Sequence, residues 1–148
     1  MQIKTLLILV VAAVATGCIQ EREVSGTMSP NTSEKILMVI APENFRDEEL
    51  LEPKRIFEDS GVTVIIASTS TDMARGILGA TVKPDMAIAD VNISEYDGIA
   101  IVGGGGSKKY LWDDAELRQL VVDANEQNMV VSAICLSPVV LARAGVLD

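Results

Sequence analysis

The chain has 148 residues, room for one domain once any targeting segment is set aside, and its 49% hydrophobic content excludes wholesale disorder. A net charge of −9 argues against the basic face that sequence-independent nucleic-acid binding needs. The absence of histidine excludes mechanisms that take an imidazole from this chain, together with most zinc sites, and the two cysteines cannot make a disulfide framework.

Residues 1–17 read as a signal peptide. Lys4 precedes the apolar run Leu6 to Ala15, which is too short to span a bilayer and fits a secretory h-region. Ala15-Thr16-Gly17-Cys18 resembles the lipobox of prokaryotic lipoproteins, which implies cleavage before Cys18 and a lipid on its sulfur. The expected location is extracytoplasmic, held at the membrane through Cys18, with plain secretion as the alternative. Residues 18–34 lack an apolar period and read as a flexible tether. Asn31-Thr32-Ser33 and Asn92-Ile93-Ser94 match the glycosylation acceptor triplet, a short pattern that recurs by chance.

The folded domain is expected over residues 35–148. Lys35 to Ile40 is a short apolar run, the mark of a strand buried on both faces. Asp47, Glu48 and Glu49 open a helix that runs to about Ser60, where Gly61 stops it. Carboxylates suit the positive end of the helix dipole, and Asp47 and Glu48 are expected to be solvated there. Thr63 to Ala67 is a second strand, and Thr69 to Val91, punctuated by Gly and Pro with short apolar pieces at Gly76 to Val82, suggests a hairpin-like excursion. Gly98 to Val102 is a third strand, ending in Gly103 to Gly106. Trp112 to about Gln127 carries Leu117, Leu120, Val121 and Ala124 at helical spacing, with Trp112 expected to pack this helix on the sheet. Val130 to Ile134 is a fourth strand and Pro138 to Ala144 a helix. Strands alternating with helices predict an α/β fold, doubly wound around a mainly parallel sheet.

In such sheets chemistry gathers at the carboxyl ends of the strands. The glycine run, Cys135 and Glu49 all follow strands there. The glycines fit neither GxxxxGK[ST] nor GxGxxG, so a tight turn is expected, no cofactor or metal is expected, and Lys108 and Lys109 read as a solvated face. Cys135 lies between a buried strand and a helix begun by Ser137 and Pro138, where unsatisfied N–H groups favour a thiolate. This resembles a nucleophile elbow with Cys in place of the Ser of G-x-S-x-G.

Ser132 to Pro138 resembles the elbow of the ThiJ/PfpI family, which includes intracellular protease I and the Parkinsonism-associated deglycase. Tyr96-Asp97-Gly98 followed by Gly103 to Gly106, and Glu49 four positions before Pro53, extend the resemblance in family order over Lys35 to Asp148. The resemblance implies a flavodoxin-like domain of the class I glutamine amidotransferase type, a homo-oligomer, with a reactive Cys135 and Glu49 as the carboxyl beside it. Backbone N–H groups of Gly105 and Leu136 are the implied oxyanion donors. The sequence departs from the family at Leu136, where peptidase-like members carry histidine, and at Ser137, where many have glycine. It also stops thirteen residues after Cys135, which reads as a C-terminal part missing and a sheet edge left open.

Two acids in contact would share one proton, so Glu49 could hydrogen-bond a Cys135 thiolate and move a proton for it. Glyoxalase-type or deglycase-type work on small carbonyl compounds follows. Peptidase work is disfavoured, because Leu136 cannot protonate a leaving amine. The alternatives are a non-enzymatic redox sensor or stress-related binding protein, and an inactive truncated member.

Overall fold

The computed structural model describes residues 34–147. The expected signal, lipobox and most of the tether lie outside the described residues. In chain order the elements are β1 (Lys35–Val39), β2 (Glu43–Phe45), α1 (Asp47–Asp59), β3 (Thr63–Ser68), β4 (Ala74–Gly76), β5 (Thr81–Val82), β6 (Met86–Ala87), β7 (Gly98–Ile101), α2 (Ala115–Glu126), β8 (Val130–Ala133) and α3 (Pro138–Ala144). Among the described residues no helix is long and apolar enough to cross a membrane.

Five strands form a parallel sheet in the order β6-β3-β1-β7-β8. Alternation along each strand sends side chains to two different cores. Leu37, Val39, Ile99 and Ile101 meet Leu117, Val121 and Ala124 of α2 and Val140 of α3 on one face. Met38, Ile40, Ile66 and Val102 meet Leu50 of α1 and Phe45 on the other, with Phe57 packed alongside. This is the doubly wound arrangement expected from the apolar runs. The second face is unevenly covered. α1 packs on β3, while Gly98, Ala100, Val130 and Ser132 line an open cleft of about 200 Å³ with Ile36 and Phe57. Among the described residues β8 pairs only with β7, at the edge of the sheet.

A separate sheet, β2-β4-β5, contains the expected hairpin: β4 and β5 pair antiparallel, Ala74 opposite Val82. β2 and β6 have no counterpart in the sequence reading, being only three and two residues long. The helix expected from Trp112 instead begins at Ala115. Asp114 caps it, its side chain accepting the Leu117 N–H at 2.8 Å, and Ser107–Leu111 ahead of it form a single π turn. Asn92 also acts as a cap, accepting the N–H of Ser94 within its own turn.

Asp47 corrects another expectation, since it is buried rather than solvated. Its carboxylate accepts the N–H groups of Leu78 at 2.9 Å and Ala80 at 2.7 Å, tying the first turn of α1 to the β4–β5 connection. A Cβ on Gly76 would stand 2.4 Å from that carboxyl group, so the approach requires glycine. Burial pushes the Asp47 carboxyl up, but the N–H donors, with Arg46 nearby, outweigh it and hold the group below its ordinary 3.8. A folded-state value below the unfolded one stabilises the protein above that ordinary value, and the contribution is lost as pH falls through the folded value. Asp47→Ala should therefore cost about 1–3 kcal/mol at neutral pH, the scale of leaving buried donors unsatisfied. Urea unfolding of both proteins should show the gap narrowing as pH drops below 3.8; a gap independent of pH would contradict this role.

Candidate functional site

Parallel strands deliver their carboxyl ends to one edge of the sheet, and three sequence-distant pieces meet there. After β7 the chain turns through Gly103 to Gly106, after β8 it turns at Cys135, and after β1 and β2 it enters α1 with Glu49. Glu49 Oε2 accepts the Gly103 N–H at 3.0 Å. A Cβ added to Gly103 would stand 2.6 Å from Glu49 Oε2, 2.6 Å from Cys135 Cβ and 2.7 Å from the Ile134 carbonyl oxygen. The space of one missing methyl group is thus what lets the acid and the cysteine approach each other. Gly104, at φ +100°, turns the chain directly against the Asn44–Arg46 backbone, where any side chain would collide.

Cys135 has φ +61°, a left-handed conformation unusual for a residue with a side chain, and is an exposed free thiol. This is the strained strand-to-helix turn of an elbow. The turn is closed by the Ser137 N–H donating to Ile134 at 3.0 Å. Ser137 is itself buried; its hydroxyl donates to the Val102 carbonyl at 2.8 Å and shares a 2.8 Å hydrogen bond with Ser107. Ser137 thus links the end of β7, the π turn and the start of α3. Leu136 is exposed, and its carbonyl accepts the Trp112 indole N–H at 2.7 Å. Gly105 is exposed, with open space at its Cβ position.

Pro53 lies one helical turn after Glu49. Proline inside a helix lacks the N–H that would bond the carbonyl four residues back, and its ring crowds that carbonyl, which is the one of Glu49. Glu49 and Pro53 both line a largely apolar cleft of about 200 Å³ with Met38, Phe57, Ala100 and Ile134. The structure therefore brings together Glu49, Gly103 and Cys135. Glu49 spends one carboxyl oxygen on the Gly103 amide, which the expected proton-sharing pair did not include. The sequence reading also missed the Ser107–Ser137 hydroxyl pair and the Trp112 indole bond. Of the expected solvated lysines, Lys108 and Lys109 are exposed, and Lys109 bonds Tyr110 at 2.6 Å, whose hydroxyl donates to Glu43. Among the described residues no group of three or more His, Cys, Asp or Glu could hold a metal ion.

Known proteins share this arrangement of strands and turns. An uncharacterised protein of Methanocaldococcus jannaschii is 54% identical over 113 residues, which cover 76% of this chain and 55% of that protein. A Pyrococcus furiosus protein named deglycase PfpI is 31% identical over 113 residues, covering 76% of this chain and 67% of its own. The crystal structure of a ThiJ/PfpI domain protein from Brachyspira murdochii matches with a TM-score of 0.76 at 33% identity, covering 80% of this chain and 68% of that one. The chain therefore spans from little more than half to about two thirds of the length of these relatives. The sequence profile of the DJ-1/PfpI family matches residues 34–148, and the chain belongs to that family.

Proposed function

We propose that the domain performs cysteine-dependent chemistry on small carbonyl compounds, of the glyoxalase or deglycase type. The observation that carries this is the packing of Glu49 and Cys135 against the same side-chain-free face of Gly103. In the first step the Cys135 thiolate adds to an aldehyde carbon. The C–S bond forms, the carbonyl π pair moves to oxygen, and that oxygen takes a proton from Glu49, giving a hemithioacetal. The N–H groups of Gly105 and Leu136 would stabilise the developing oxyanion. Peptide hydrolysis fits less well, because a leaving amine needs an acid and Leu136 supplies none.

The exposure of the Cys135 thiol favours a second reading, a redox sensor or stress-related binding protein that oxidises to sulfenic and sulfinic acid. Methylglyoxal turnover by the wild type, lost in Cys135→Ala, is the expected result of the enzyme reading. No turnover by the wild type, with peroxide-dependent oxidation of Cys135, would favour the sensor. We place the domain outside the cytoplasm, anchored by lipid on Cys18, on the strength of the apolar run and the Ala15 to Cys18 pattern alone.

A further inference from the structure

We infer that Trp112 is a positioning residue for Cys135, its indole N–H fixing the turn that presents the thiol. This rests on the reading of Cys135 as the reacting group. A side-chain-bearing residue at φ +61° persists only where its surroundings over-determine it. On the strand side, Ile134 remains tied to the sheet through its N–H to Ile101. On the helix side, Leu136 precedes the N-cap Ser137, so its carbonyl has no partner within α3. Val140, four residues on, donates its N–H to Ser137 at 2.8 Å instead. The Leu136 carbonyl is satisfied by the Trp112 indole at 2.7 Å. That bond and the Ser137 N–H to Ile134 hold the peptide immediately after Leu136 at both of its polar atoms, which fixes the turn from which Cys135 projects.

Two cations lie close to the indole ring. The Lys108 ammonium lies 5.7 Å from the ring centroid and the Arg143 guanidinium 5.4 Å, with Arg143 paired to Asp113. Lys108 belongs to the π turn that follows the glycines, and Arg143 to α3. Trp112 therefore couples the glycine turn to the elbow across 24 residues of sequence. It does not bond Cys135 directly and acts through the Leu136 backbone.

The test uses the full chain and measures iodoacetamide alkylation at Cys135 by mass spectrometry of its peptide. Trp112→Phe should slow alkylation by about fivefold, the factor one ordinary hydrogen bond carries. It should lower kcat for methylglyoxal with KM unchanged. Because a phenyl ring also packs differently, two analogues at position 112 separate the donor from the ring. Azatryptophan keeps the N–H and should retain the wild-type alkylation rate. Benzothienylalanine replaces the N–H with sulfur at nearly the same shape and should behave like phenylalanine. Wild-type alkylation in Trp112→Phe, or equal slowing by both analogues, would overturn the inference. Alkylation does not depend on turnover, so an enzyme that proves inactive would defeat the proposed function and leave this test intact.

Discussion

Glu49→Gln should alkylate at Cys135 within about twofold of the wild-type rate, yet lose about 100-fold or more of its turnover of methylglyoxal, the lower end of what a positioned acid or base contributes. The difference follows from the two jobs given to one carboxyl group. Its Oε2 accepts the Gly103 N–H at 3.0 Å, and a glutamine carbonyl oxygen can accept the same bond. The amide nitrogen of glutamine can also donate to a thiolate, so the surroundings of the sulfur survive. An amide cannot give a proton to a developing alkoxide and take it back. Glu49→Ala removes the donor and leaves the Gly103 amide without its acceptor, so it should slow alkylation as well. Stopped assays of carbonyl loss beside alkylation rates would check the pair. Turnover by Glu49→Gln at the wild-type rate would exclude Glu49 as the proton carrier.

The second large effect concerns β8. Edge strands are usually blunted by charge, proline or a cover, and Val130–Ala133 carries neither a charge nor a proline. Val130 is 69% exposed, Ile134 49% and Leu136 40%, and the neighbouring face of β7 and β8 opens into the cleft beneath Phe57. The domain from Lys35 to Asp148 should therefore associate in a concentration-dependent way or melt at low temperature. Light scattering and thermal melting would decide. Val130→Lys, which places a charge on the exposed edge, should shift an associated sample toward monomer. A monomer with a cooperative melt above about 60 °C, near the top of the usual mesophile range, would contradict this expectation.

Three of the long strands were legible because burial on both faces leaves little room for polar residues, whereas Val130–Ala133, expected to be buried as well, shows as an apolar run that the structure leaves partly exposed at the sheet edge. Lys35–Val39, Thr63–Ser68, Gly98–Ile101 and Val130–Ala133 all stand out as apolar runs within a residue or two of their ends. β2 and β6 were not legible, since two or three residues carry no period and are defined by their partners. Asp114 was a readable cap, but the periodicity starting at Trp112 masked it. At the site, Cys135 and Glu49 could be found from strand-end position and from Pro53. The burial of Asp47 could not, because its donors lie on a turn 31 and 33 residues away. Nor could the hydroxyl bond between Ser107 and Ser137, 30 residues apart. Local patterns report which face a residue takes; bonds of this reach depend on how crossovers bring turns together.

The Glu49–Gly103 bond joins residues 54 positions apart. Loop-closure entropy makes contacts of that separation slow to form, and parallel pairing is slow for the same reason. No short fragment of this chain can hold the acid, the glycine and the cysteine in their working relation, because each enters from a different crossover. The excess of Cys135 reactivity over that of a free cysteine should then emerge only in the closing stage of refolding, after β1, β7 and β8 have aligned. A thiol-labelling pulse during refolding would read the completion of the sheet, and the site would serve as a clock for the whole domain.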